Sequence, residues 1–235
     1  MPVTNLRSRL LVRATTPFLT LLVGVPILAR AQIPGLPVLQ NAFVNRGLTL
    51  AAEGGGGQEG WSAAGAVSLG TSSGRIALSG GLGAFTPDRG SARLAWGIRA
   101  SGTVFSLANG QFGLGVFVGY GGAGGGTIDP GPTPGDTTMS DAPTRLPLGA
   151  SLGFQHMFGS MGMSLYASPA YVWYNEGGSG SNSNGVFRIP VGLDIGFSRS
   201  FGLTLGAEFG ADAVAGSLGP RGATYAAGLS YVLKR

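Results

Sequence analysis

The stretch FRIPVGLDIGF (Phe187 to Phe197), followed by Ser198-Arg199-Ser200 and then FGLTLGAEFG (Phe201 to Gly210), alternates along its whole length. Phe187, Ile189, Val191, Leu193, Ile195 and Phe197 are separated by Arg188, Pro190, Gly192, Asp194 and Gly196. Phe201, Leu203, Leu205, Ala207 and Phe209 are separated by Gly202, Thr204, Gly206 and Glu208. Period two marks strands with one apolar face and one small or polar face. Directly opposed residues of an antiparallel hairpin point to the same face. Folding the stretch about Arg199 sets Ile195 opposite Leu203 and Ile189 opposite Phe209, so the apolar faces coincide.

Working outward, the same pattern recurs. Trp61, Ala63, Val67 and Leu69 alternate with Ser62, Ala64 and Ser68, and Phe112, Leu114, Val116, Val118 and Tyr120 with Gly113, Gly115, Phe117 and Gly119. A hairpin about Gly159-Ser160 sets Phe154 opposite Leu165 and Leu148 opposite Tyr171. The chain reads as about ten strands, with eight as the other count: 47–54, 61–71, 75–85, 92–106, 111–120, 145–158, 161–173, 186–197, 201–212 and 224–233. Most are longer than the ~5–6 residues common in soluble sheets. They match the ~9–11 that a tilted strand needs to cross a bilayer. Tight turns at Ser72-Ser73, Ala108–Gly110, Gly159-Ser160 and Ser198–Ser200 alternate with longer links at 55–60, 86–91, 121–144, 174–185 and 213–223. Short turns at one end and long loops at the other predict an all-β, up-and-down transmembrane barrel.

Composition narrows the alternatives. Gly is 45 of 235 residues, charged residues are 11%, and there is no Cys. Disulfide scaffolds and thiol chemistry are excluded, and a low charge with many apolar residues argues against disorder. The formal charge of +5 comes mostly from Arg7, Arg9, Arg13 and Arg30, and the rest of the chain is nearly neutral. The charge is therefore no nucleic-acid signal. A basic start, the uncharged run Ala14–Ala29 and the small-x-small motif Ala29-Arg30-Ala31 predict a Sec-type signal peptide, residues 1–31, cleaved after Ala31. Residues 32–46 then read as a periplasmic segment and 47–235 as the barrel.

The apolar strand faces carry no Asp, Glu, Lys or Arg. Glu53, Arg75, Arg93, Arg99, Arg145, Arg188, Asp194, Glu208 and Asp212 take the other face, where Gly, Ala and Ser predominate. A charge in the middle of the lipid face costs roughly 2–4 kcal/mol, whereas a lumen tolerates it. A soluble sandwich would alternate too, but its outer face would carry Lys, Thr and Glu, and Lys234 is the one lysine. Trp61, Tyr120, Tyr171, Trp173, Phe187, Phe209 and Tyr225 fall near the long-loop ends. Phe112, Phe154, Phe158, Phe197, Phe201 and Tyr231 fall near the short-turn ends, as two interfacial belts would require. Pro147, Pro169 and Pro190 are out of place inside ladders.

The chain thus resembles small bacterial outer-membrane β-barrel proteins of the opacity/porin-like class, over about residues 46–235. The last strand carries the most specific likeness: Tyr225, Leu229, Tyr231 and Leu233 are similar to the C-terminal signal read by the barrel assembly machinery, although the chain ends in Lys234-Arg235 rather than Phe. The resemblance implies outer-membrane location, lipid as surroundings, and the assembly machinery with periplasmic chaperones as partners.

Chemistry is sparse. Gly119-Tyr-Gly121-Gly-Ala-Gly124 matches G-x-G-x-x-G, but Gly, Pro and Thr follow it instead of the helix that motif needs. His156, the one histidine, falls on the lipid face at the short-turn end. Barrel lipid hydrolases carry Ser two residues beyond their His, and here that position is Phe158; barrel proteases of the omptin kind need His and Asp at the opposite rim. One His makes no metal site. No catalytic residues, cofactor or metal are expected, and the chain reads as no enzyme. Arg188 falls opposite Gly210, with Glu208 and Asp212 on its diagonals. With Glu53, Arg99 and Asp194 they predict a lumen charge network, either a closing plug or a selectivity constriction. Asp129, Asp136 and Asp141 lie in the long link 121–144, which would be solvated by them, bind calcium, or fold into the mouth as a constriction. Loop 177–185 reads as unstructured. Two functions fit: a small pore or ligand-uptake channel with a charged, Gly-lined lumen, or a closed barrel serving as a structural or surface-display protein through its loops.

Overall fold

Each short turn has a local cause. Gly74 has φ 67°, and its N–H donates to the Thr71 carbonyl at 2.9 Å. Ala108, Asn109 and Gly110 all take positive φ in one 3₁₀ turn, and Gly159 does so at φ 64°. At the fourth turn the Ser198 hydroxyl accepts from the backbone N–H of Ser200 and Phe201, at 3.2 and 3.0 Å. Serine closes that turn as a side-chain mimic of a backbone acceptor.

The computed structural model describes residues 41–57, 60–87, 91–128, 138–140, 144–175, 183–198, 200–210 and 222–234. They form β1 (Gly47–Gly57), β2 (Gly60–Gly70), β3 (Ile76–Pro87), β4 (Arg93–Leu107), β5 (Phe112–Ala123), β6 (Gly126–Ile128), β7 (Thr138–Ser140), β8 (Thr144–Phe158), β9 (Met161–Ala167), β10 (Ala170–Asn175), β11 (Ser183–Gly196), β12 (Phe201–Gly210) and β13 (Thr224–Lys234). Every pairing is antiparallel, and around the barrel each stave pairs with the staves before and after it in the chain. β1 pairs with β13, setting Leu50 opposite Tyr231 and Ala52 opposite Leu229, and this closes the sheet. β9 and β10 share one place between β8 and β11, so the barrel has ten staves. β6 and β7 form a separate ribbon within the longest link.

The registers read from the sequence are those observed. Phe154 faces Leu165, Leu148 faces Tyr171, Ile195 faces Leu203 and Ile189 faces Phe209. Three irregularities were not read. The β1–β13 register shifts between Leu48 and Thr49. A bulge at Val104 shifts the β4–β5 register between Thr103 and Phe105, and Ser168-Pro169 splits one stave into β9 and β10. Proline has no N–H to donate. The Pro169 carbonyl still accepts from Ala150 N at 3.1 Å, and the Pro190 carbonyl from Ser168 N at 2.7 Å. The prolines therefore thin the ladder without displacing it. Ser183–Gly185 belong to β11 and not to an unstructured loop; residues 177–182, Asp129, Asp136, Asp141 and the proposed signal peptide lie outside the described residues.

The two faces differ as bilayer and lumen would require. Leu78, Leu82, Leu94, Ile98, Leu152 and Leu229 are more than half exposed on the outside, an apolar girdle far beyond the patches tolerated in water. Trp61, Tyr171 and Trp173 rim it at the long-loop end, with Phe112, Phe158 and Phe201 at the other. Inward positions hold glycine, alanine, serine and the charged groups.

Candidate functional site: the lumen

The lumen has two unlike halves. Toward the long-loop end it is filled. Arg188 and Glu208 are wholly enclosed, and Arg145 nearly so. Arg188 Nε donates to Glu208 Oε1 at 3.0 Å, while Arg145 Nη2 donates to Oε1 at 3.1 Å and Oε2 at 2.9 Å. Arg188 Nη2 also donates to the Gly222 carbonyl at 2.9 Å. The Arg145 guanidinium sits 5.7 Å from the centre of the Tyr174 ring. Around the ions pack Phe117, Ala170, Val172, Tyr174 and Val186, and Phe85 packs with Ala95 and Ala123. Enclosed ions cost several kcal/mol each unless paired and hydrogen-bonded. Glu208 meets that condition with charge-assisted bonds from both guanidiniums, whereas Nε and Nη1 of Arg145 are enclosed with no hydrogen-bond partner among the described residues.

Toward the short-turn end the lumen opens into a cavity of about 750 Å³. Its wall includes Glu53, Arg99 and Asp194 among Ser79, Ser101, Ser164, Thr204 and Ser230. Glu53 and Arg99 act on each other through space. Asp194 bonds instead to neutral side chains, Asn41 and Thr204. The sequence-predicted network is thus divided: Arg188 and Glu208 are joined in the filled half, Glu53 and Arg99 both line the open half, and Asp194 stands with Asn41. Asp212 lies outside the described residues.

Sequence reasoning missed Arg145 as the second partner of Glu208. Its inward parity was visible, but β8 and β12 are not neighbours, and the curvature of the sheet brings them together. It also missed the entry of Asn41–Val44 into the lumen. Asn41 Nδ2 donates to Ser164 Oγ at 2.9 Å and to the Asp194 carboxylate, and Ala42 is almost fully enclosed. These residues belong to segment 32–46, expected on the short-turn side of the barrel.

His156 lies opposite Met163 on the outer face, between the rings of Phe154 and Phe158, whose centres are 6.5 and 4.6 Å away. Gly119–Ala123 are strand, with β6 rather than a helix following. On β13, Tyr225, Leu229, Tyr231 and Leu233 all face outward, and Tyr231 packs on Phe201 with ring centres 4.7 Å apart. Among the described residues no three His, Cys, Asp or Glu side chains are gathered as metal ligands.

No protein-family model matches the sequence, and no curated protein matches it. Among solved structures the chain is similar to the outer membrane protease OmpT from Escherichia coli, with a TM-score of 0.37 and 10% identity, over 80% of this chain and 94% of that one. The closed ring of ten antiparallel staves with its apolar outer girdle is a barrel of the outer-membrane type on its own geometry. The similarity corrects one expectation. The sequence reading excluded an enzyme for want of a nucleophile and a base, whereas this neighbour of the same architecture is a protease. The exclusion is therefore withdrawn. At this identity the likeness concerns the fold, and neither activity nor catalytic residues pass to this chain.

Proposed function

We propose that the chain is an integral outer-membrane barrel, closed toward the cell exterior, that works through its long-loop end as a structural or surface-display protein of the opacity/porin-like class. The observation that carries this reading is the enclosure of Arg188 and Glu208, each with no exposed surface, in a lumen half filled by Phe117, Val172 and Tyr174. An open pore wets such ions, and a charged constriction leaves them facing water. The outer girdle of Leu and Ile supports lipid as the surroundings. The outward Tyr225, Leu229, Tyr231 and Leu233 support recognition by the barrel assembly machinery, with periplasmic chaperones as escorts. The leader pattern supports export with cleavage after Ala31.

The second reading, a small pore or uptake channel, draws on the cavity of about 750 Å³ and its polar wall. Purified protein in planar bilayers separates the two. The closed-barrel reading expects no stepwise conductance. Reproducible channel steps, abolished by protease digestion of the sample, would overturn it in favour of the pore.

A further inference from the structure

We propose that Asn41–Val44 is an internal latch that covers the inner wall of the cavity toward the short-turn end, with Asn41 as its polar catch and Phe43 as its wedge. The inference is independent of whether the opposite half of the lumen ever opens.

Separate contacts from different staves converge on this segment. Asp194 of β11 and Ser164 of β9 are directly opposed, and both accept from the Asn41 amide. The two acceptors therefore form one preset seat for a donor. From β4, Thr103 Oγ1 donates to the Ala42 carbonyl at 2.8 Å and fixes the backbone. Gly113 of β5 and Gly153 of β8 are also directly opposed, and the Phe43 ring lies over both. A Cβ on Gly113 would come within 2.6 Å of that ring, and one on Gly153 within 2.9 Å. Two opposed glycines whose missing side chains are replaced by one ring make a flat floor suited to that ring.

Asn41 and Phe43 are also part of the cavity wall. The wall is thus completed by a piece that belongs to no ladder. The catch consists of hydrogen bonds that water can replace, and Asn41–Val44 lie outside the strands. Releasing the segment leaves every stave paired, so the cavity can widen and expose Ser164 and Asp194 to solutes from the short-turn mouth while the barrel stays folded.

The chain has no Cys, so single cysteines report access directly. Ser164→Cys lies under the catch, and Ser200→Cys lies at the mouth. Each is labelled with a charged methanethiosulfonate reagent on the full-length folded protein. Ser164→Cys should react slowly, and about tenfold faster when combined with Phe43→Ala or with Gly113→Val, a factor of the size one displaced hydrogen bond to a charged acceptor carries. Ser200→Cys should react at one rate throughout. Equal rates at position 164 with and without these changes would overturn the latch, as would equal acceleration at both positions, which signals a loosened barrel. The pair Asn41→Cys and Ser164→Cys tests the placement without removing the wedge. It should oxidise to a disulfide in the folded barrel, and a folded barrel that forms none also overturns the proposal.

Discussion

Arg145 reaches past two staves to Glu208, donating from one nitrogen to both carboxylate oxygens at 3.1 and 2.9 Å, although the strands that carry them are not neighbours. Glu208 thereby holds two guanidiniums, since Arg188 bonds to it as well. Such a bond ties together two parts of the wall three staves apart and holds the curvature between them.

Glu208→Ala should therefore be among the most damaging single changes in the chain. It leaves Arg145 and Arg188 enclosed without their carboxylate, at a cost of roughly 3–5 kcal/mol. Replacing all three residues with apolar side chains of matched volume should recover most of that loss, because the desolvation of the ions disappears with them. The midpoint of urea-induced unfolding in detergent, followed by the unboiled gel mobility, reads both. A triple variant no more stable than Glu208→Ala would count against this account.

The two faces should respond in opposite ways to charge. Leu152 is 58% exposed near the middle of β8 on the outside, so Leu152→Arg should cost about 2–4 kcal/mol in a bilayer. Ala66 is inward and lines the cavity, and Ala66→Arg should change stability by less than about 0.5 kcal/mol, the scale of an uncritical surface change. Equal losses for the two variants in lipid vesicles would mean that the outer face does not meet hydrocarbon.

How much of this was legible depended on whether the information was local. The pairing of Phe154 with Leu165 and of Ile189 with Phe209 follows from turn length and alternation, because a shift of one residue would turn an entire apolar face inward. The Arg188–Glu208 contact was legible for the same reason, being a diagonal between chain-neighbouring strands. Arg145 escaped because its partner lies beyond nearest neighbours and is set by curvature. The Val104 bulge escaped because an extra residue in a run of small and apolar side chains leaves no clear break in period. Asn41–Val44 escaped because four residues carry no periodicity, and their seat is made of glycines on distant strands.

Glycine is abundant, but its positions are not equivalent. A Cβ on Gly192 would lie 2.2 Å from the Tyr166 hydroxyl, whereas one on Gly65 meets nothing within 4 Å. Gly192→Ala should force the buried Tyr166 to move, destabilising by about 1–3 kcal/mol as overpacking does. Gly65→Ala should stabilise by about 0.4–1 kcal/mol through the unfolded chain alone. Paired unfolding curves test the contrast, and a neutral Gly192→Ala would show that the ring has room to shift.

The last strand allows assembly to be separated from stability. Tyr231 is 39% exposed and shares its outer face with Leu229 and Leu233, while its ring rests on Phe201. If the strand serves only as a stave, Tyr231→Ala should cost about 0.5–1.5 kcal/mol, the worth of an aromatic pair, and the mature protein should still reach the membrane. If it is also the segment read during insertion, as its alternating pattern suggests, the cell should accumulate unfolded, protease-sensitive chain far out of proportion to that loss. Restoring the ring with Tyr231→Phe keeps both the packing and the pattern and should rescue insertion. The informative control is Phe201→Ala, which removes the same ring contact from the other side. Insertion should stay normal in Phe201→Ala and fail in Tyr231→Ala. Equal insertion in both variants would leave β13 as an ordinary stave and remove the assembly role from Tyr231.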